Sequence, residues 1–185
     1  KYREYIYIMM NKPQGVISAT YDNRHRTVID ILPDEYKFFN LFPVGRLDID
    51  TEGLLLLTND GQLAHELLSP RKHVPKKYYA LIDGIVTTKD VDVFREGVVL
   101  DDGYKTLPSE LFILKSGPYS EVEIVIYEGK FHQVKRMFEA VGKKVKYLRR
   151  IGMGKLKLDE TLEPGDVREL TDEEMLLVKE VEKVN

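Results

Sequence analysis

Three clusters of residues have the types and spacing that chemistry requires. The first is Gly45-Arg46-Leu47-Asp48-Ile49-Asp50-Thr51-Glu52-Gly53, followed directly by Leu54-Leu55-Leu56-Leu57. It places an arginine and a carboxylate beside a glycine, ahead of a strand too apolar to have a wet face. Such a strand is a rigid base, and the loop leading into it is where reactive groups can be exposed. Asp48 can act as nucleophile or base if a cation keeps it ionised in a cleft. Equally, Asp48 and Asp50 can be loop carboxylates that cap backbone amides.

The second cluster, Lys76-Lys77-Tyr78-Tyr79, sets cations before two aromatics that enter a strand. A tyrosine ring beside cations can stack on a nucleobase, an interaction worth about 1–3 kcal/mol per base. One of two adjacent strand tyrosines faces the core, and alternation alone leaves open which one meets a ligand. The third cluster is Tyr127-Glu128-Gly129-Lys130-Phe131-His132-Gln133-Val134-Lys135-Arg136-Met137. Once a helix has started, His132, Lys135 and Arg136 fall at i, i+3 and i+4 on one side of it. Val134, Met137, Phe138 and Val141 form its apolar face, so these cations border the core. They can pair with a buried aspartate or grip phosphates.

The elements that must position these groups follow from periodicity and turn residues. Tyr5 to Met10 reads as a buried strand that stops at the turn cluster Asn11-Lys12-Pro13-Gln14-Gly15. Val28, Ile31 and Leu32 have helical spacing after Thr27, and Pro33 ends that short helix. Gly53 to Thr58 is expected to be central in a sheet. Asn59-Asp60-Gly61 then turns the chain into a helix through Leu63, Leu67 and Leu68, closed by Ser69-Pro70. Strands follow at Tyr78 to Ile82 and Glu121 to Ile126. The apolar helix from Lys130 ends at Gly142, and strands resume at Val145 to Ile151 and Leu156 to Leu158. Thr171-Asp172-Glu173-Glu174 is a capping box that opens a last helix with Met175, Leu177 and Val178 available for burial. The pattern predicts an α+β fold with a mainly antiparallel sheet, as one domain or one domain built from two lobes.

Composition excludes several classes of protein. With 185 residues, 43% of them hydrophobic, the chain can bury a substantial core and is not disordered. No apolar run approaches the roughly 20 residues of a membrane span, and Lys1-Tyr2-Arg3-Glu4 opens no secretory segment. The absence of cysteine excludes disulfides and thiolate metal sites. His25, His65, His73 and His132 show no metal-ligand spacing, and neither a phosphate-binding G-x-x-x-x-G-K-[ST] loop nor a G-x-S-x-G elbow is present. The net charge of −3 argues against a nucleic-acid partner until it is divided by segment. Residues 129–157 hold 10 Lys/Arg against the single acid Glu139, interleaved with Phe131, Phe138, Tyr147 and Leu148. A second block, Arg71 to Lys77, carries four bases and no acid. These features point to a polyanion-binding patch on an otherwise acidic chain. Two further readings stand beside the one the family resemblance below implies: a glycoside or nucleoside hydrolase pairing Asp48 with Asp50 or Glu52, and a non-catalytic RNA-binding module.

In this order the clusters resemble one family. Gly45-Arg46-Leu47-Asp48 with Thr51, Gly53 and Leu54 to Thr58 is similar to the signature of the RsuA-type ribosomal RNA pseudouridine synthases. Asn11-Lys12-Pro13-x-Gly15, Lys76-x-Tyr78, Gly129-x-x-His132-Gln133-Val134-Lys135-Arg136-Met137, Leu148-x-Arg150 and Pro164-Gly165 to Leu170 extend the resemblance along the chain. It implies the pseudouridine synthase fold, a mainly antiparallel mixed sheet in two lobes with a central active-site cleft, flanked by helices and loops. It also implies isomerisation of a uridine in ribosomal RNA. Asp48 would be the catalytic aspartate, Tyr78 the ring stacked on the uracil, and Lys135 the cation paired with Asp48. Arg46, Lys76, His132, Arg136, Leu148 and Arg150 would bind the RNA or line the pocket, with Arg136 on phosphates or nearby acids and Leu148 as an apolar wall. The version of the third motif is closer to the small-subunit branch than to the large-subunit one. No cofactor and no metal is implied. The expected protein is a cytoplasmic monomer away from membranes, with residues 1–185 as its catalytic domain. The small S4-type RNA-binding domain that precedes this domain in the family has no counterpart in these residues.

Overall fold

The computed structural model describes residues 4–183, so Lys1, Tyr2 and Arg3 of the start discussed above lie outside the described residues. The chain leaves a first compact unit after Val74, builds a second from Pro75 to Ile151, and returns to the first at Gly152.

The first unit opens with β1 (Tyr7–Lys12), β2 (Phe42–Val44), β3 (Glu52–Thr58) and α1 (Gly61–Leu68). The second contains β4 (Lys76–Asp83), α2 (Thr88–Glu96), β5 (Glu110–Lys115), β6 (Tyr119–Ile126) and α3 (Gln133–Ala140). Strand β7 (Lys144–Met153) carries the chain back, and β8 (Leu156–Lys157), β9 (Val167–Glu169) and α4 (Asp172–Lys183) complete the first unit.

In the first unit β3 lies between β1 and β2, both antiparallel to it, with Tyr7 opposite Thr58 and Lys12 opposite Gly53 in the β1 register. Strand β9 covers the other side of β1. Leu54 and Leu56 point into a core with Met9, Leu63, Leu67, Met153 and Val178. Leu55 and Leu57 are equally buried on the opposite face, as are Ile8 and Met10. Both faces of β1 and β3 are therefore dry, which is why these strands read as apolar runs instead of alternating. Each leucine contributes about 1.5–3 kcal/mol of burial, so the loop entering β3 starts from an immobile strand. Helix α1 begins as expected, with the Asp60 carboxylate accepting from the Leu63 N–H at 3.1 Å.

The second unit orders its strands β5-β6-β4-β7. Strands β4 and β6 pair antiparallel without a break from Lys76 opposite Ile126 to Asp83 opposite Tyr119. Helix α3 buries Val134, Met137 and Phe138, the last against Phe94 of α2 with ring centroids 4.9 Å apart.

Three expectations change. The helix read at Val28 to Leu32 is a single turn, and a 3-10 helix instead starts after Pro33, over Asp34–Phe39. Thr27 and Asp30 form a capping box that opens the turn, each side chain accepting the other's N–H, at 3.2 and 2.8 Å respectively, and Pro33, which lacks an N–H, stops it there. Helix α2 went unread because Thr88 to Glu96 is mostly polar, with only Phe94 as a fully buried apolar residue. His132 lies outside α3: it is the N-cap residue, with φ 48° in the left-handed region. Only Lys135 and Arg136 of the basic trio stand on the helix itself. Among the described residues no helix is long and apolar enough to cross a membrane.

Candidate active site

The loop that carries Arg46 and Asp48 is held by the segment just after β1. The hydroxyl of Ser18 donates to the Leu47 carbonyl and accepts the Leu47 N–H, both at 3.0 Å. The Gly15 N–H donates to the Ile49 carbonyl at 2.9 Å, and the Thr51 N–H closes a turn on the Asp48 carbonyl at 3.0 Å. Beneath the loop, Lys12 is fully buried, and its ammonium donates to the carbonyls of Pro13 (2.9 Å), Asp48 (3.0 Å) and Thr51 (2.8 Å). A buried cation is tolerated when carbonyl dipoles replace its hydration, and here two of the three belong to the loop that carries Asp48. Leu47 packs inward at 5% exposure, Arg46 is exposed, and Asp48 is half-buried. The carboxylate thus stands on backbone whose polar groups are already satisfied, an arrangement that holds its position before any ligand arrives.

The remaining predicted site residues lie in the second unit. Tyr78 faces inward at 8% exposure, on the same side of β4 as Ala80 and Ile82. Tyr79 takes the opposite face and is fully engaged there. Its hydroxyl donates to Glu121 at 2.6 Å, its ring meets Tyr147 edge-on at 6.2 Å, and the Arg149 guanidinium lies 5.6 Å above it. Lys76, two residues before Tyr78, is half-buried near Arg150 and Glu128. Burial first, and then the Arg150 charge, pull its pKa down to about 8, against the opposing pull of Glu128. Leu148 and Arg150 share the buried side of β7, at 6% and 3% exposure.

Around α3, Arg136 is committed to acids. Its guanidinium reaches Asp101 at 2.7 Å and Asp102 at 3.0 Å, and also donates to the Phe131 carbonyl at 2.8 Å. Of the two alternatives read for this arginine, phosphates or nearby acids, the acids occupy it here. Glu128 is a hub that sequence reasoning missed. It accepts from the Tyr104 hydroxyl (2.5 Å), the Leu107 N–H (2.7 Å) and the Gln133 amide (3.1 Å). Its only sequence signal was an acid at the edge of a basic stretch. Lys135 is half-buried on α3 and His132 half-buried at its cap. Among the described residues no cluster of three or more His, Asp or Glu gathers as metal ligands would.

Comparison with known proteins places the chain in a class of RNA-modifying isomerases, those that form pseudouridine. The chain belongs to the RNA pseudouridylate synthase family, whose sequence profile it matches over residues 6–140. It is 53% identical over 180 residues to the uncharacterized RNA pseudouridine synthase YtzG of Bacillus subtilis, covering 97% of this chain and 75% of that one. The ribosomal small subunit pseudouridine synthase A of Vibrio cholerae is 43% identical over 170 residues, covering 91% of this chain and 72% of that protein. A crystal structure of a pseudouridylate synthase superposes with TM-score 0.88 at 38% identity, over 96% of this chain and 75% of that chain. The α+β, mainly antiparallel architecture and the isomerase class expected from the sequence are those of this family.

Proposed function

We propose that the chain converts a uridine of small-subunit ribosomal RNA to pseudouridine. The single observation that carries the reading is the braced loop: Lys12 and Ser18 hold the backbone around Asp48 while its side chain stays accessible. The 43% identity to a small-subunit enzyme over 91% of the chain supports the choice of RNA. In this reaction the N1–C1′ bond breaks, the uracil rotates, and a C5–C1′ bond forms. The proton lost from C5 is balanced by the one gained at N1, so no cosubstrate is consumed. The target base must first leave its stack, which costs a few kcal/mol.

Each residue then has a role. Asp48 supplies the carboxylate as nucleophile or base, and Lys135 is the cation paired with it. Tyr78 stacks on the extruded uracil, and Leu148 forms an apolar wall beside it. Arg46, exposed on the catalytic loop, grips the RNA backbone and helps to hold the flipped nucleotide. Lys76, His132 and Arg150 supply further contacts to the RNA. The test is to map pseudouridines in ribosomal RNA from a strain lacking the gene, and to add the purified chain back to that RNA. The reading expects one small-subunit pseudouridine to vanish and then return. A site lost from large-subunit RNA instead would move the substrate to the other subunit.

A further inference from the structure

Phe131 is the one large hydrophobic residue of the third motif that stands largely in solvent, and nothing in the isomerisation as described employs it. The residue is 74% exposed. A phenylalanine left in water at the tip of a flexible loop would need no explanation, but this tip is fixed from several directions. The Gln133 N–H donates to the Lys130 carbonyl and the Gln133 side chain accepts the Lys130 N–H, both at 3.1 Å, which closes a tight turn around Phe131. The Phe131 carbonyl accepts from Arg136, itself anchored on Asp101 and Asp102. His132 holds φ 48°, a conformation that costs energy for any residue but glycine, and its ring stacks on Phe131 at 3.7 Å and 19°. One ring face is thus backed by an imidazole while the side chain as a whole remains largely in solvent. Lys130 beside it is exposed, with its ammonium 4.8 Å from the Tyr104 ring.

We propose that Phe131 is a preorganised stacking platform for an unpaired nucleobase of the substrate RNA, one that flanks the isomerised uridine and is distinct from it. The inference rests on the RNA substrate proposed above. The occupant follows from charge complementarity: the ring belongs to a segment with 10 Lys/Arg against one acid, and although Arg136, Lys143 and Lys155 are paired with acids outside it, cations still prevail and Lys130 beside the ring is exposed, so a polyanion that offers flat π-faces fits it better than any apolar partner. Stacking accepts every base, so the platform orders the strand beside the target, while the reacting uridine is selected elsewhere.

The chain contains no tryptophan, which makes the test direct. Phe131→Trp installs a single reporter that a stacked base quenches, and Phe112→Trp on β5 gives a second exposed reporter away from the motif. Titrated with deproteinised small-subunit ribosomal RNA, the Phe131→Trp fluorescence should fall along the binding curve and the Phe112→Trp signal should not. Phe131→Leu should raise KM about tenfold with kcat within about twofold, the same thermal midpoint and the same salt dependence, since no cation is lost. Phe131→Trp should restore KM. An unquenched indole signal from the Phe131→Trp variant under saturating RNA, or a Phe131→Leu KM within about twofold of the parent, overturns the proposal. Pseudouridine formation by the parent chain on the same RNA is scored separately. Its absence would defeat the substrate reading, while the quenching would still report on the platform.

Discussion

Lys12 takes its charge into a nest of backbone oxygens, where the carbonyls of Pro13, Asp48 and Thr51 lie within 3.0 Å of its ammonium. Lys12→Met keeps the bulk but leaves those carbonyls buried without their donor. We expect a loss of about 3–5 kcal/mol in urea unfolding together with a fall in kcat; a change below about 1 kcal/mol would show that the loop holds itself. The sequence marked Lys12 only as part of a turn cluster and of the Asn11-Lys12-Pro13-x-Gly15 motif, not as a buried cation, because its partners on the Asp48 loop are peptide groups 36 to 39 residues away. Lys76 differs in that its charge is labile, with a pKa brought from 10.5 to about 8 by burial and by Arg150. Below about pH 8 both folded and unfolded chains hold this proton, and its burial penalty is constant. Between about 8 and 10.5 the unfolded chain binds more protons, so stability gains from this residue as pH rises. RNA affinity has the opposite trend: as an RNA contact, Lys76 should contribute fully at about pH 7 and little at about pH 9. At fixed salt, Lys76→Arg should remove that decline in a binding titration, and an identical decline in the variant would exclude Lys76 from the interface.

At the level of elements, α3 is an instrument for holding side chains still. Of the apolar face legible from spacing, Val134, Met137 and Phe138 are buried on the helix, while Val141 is its half-buried C-cap residue. Its start was not legible, because the left-handed turn at His132 depends on the Glu128, Gln133 and Arg136 contacts instead of on helix propensity. The limit differs at Thr27 to Asp30, where a capping box opens a turn of correct apolar spacing and Pro33 stops it after that turn. Arg136 ties α3 to Asp101 and Asp102 and so fixes the platform at Phe131. Arg136→Met should therefore lower the thermal midpoint and raise KM, while leaving the slope of log affinity against log salt unchanged. A slope shallower by about 0.7–0.9, the signature of one lost phosphate contact, would show that Arg136 leaves its acids for the RNA.

For the molecule as a whole, net charge was the wrong statistic and segment charge an incomplete one. The second unit, residues 75–151, holds 14 Lys/Arg against 11 Asp/Glu, while the rest of the chain holds 14 against 20. At least three of the ten cations in residues 129–157 are engaged by acids outside that segment: Arg136 by Asp101 and Asp102, Lys143 by Asp90, and Lys155 by Glu180. Sequence distance hid these pairings, so the count marked a cation-rich segment but overstated its free charge. The architecture was more legible, because dry strands and an amphipathic helix announce themselves through periodicity. The central claim is that Asp48 performs the isomerisation, and Asp48→Asn tests it with the shape of the side chain preserved. Parent and variant are incubated with small-subunit ribosomal RNA lacking the modification, and pseudouridine and RNA affinity are both measured. The account predicts pseudouridine from the parent, none from Asp48→Asn, and RNA affinity within about threefold of the parent; pseudouridine formed by the variant at the parental rate would contradict it.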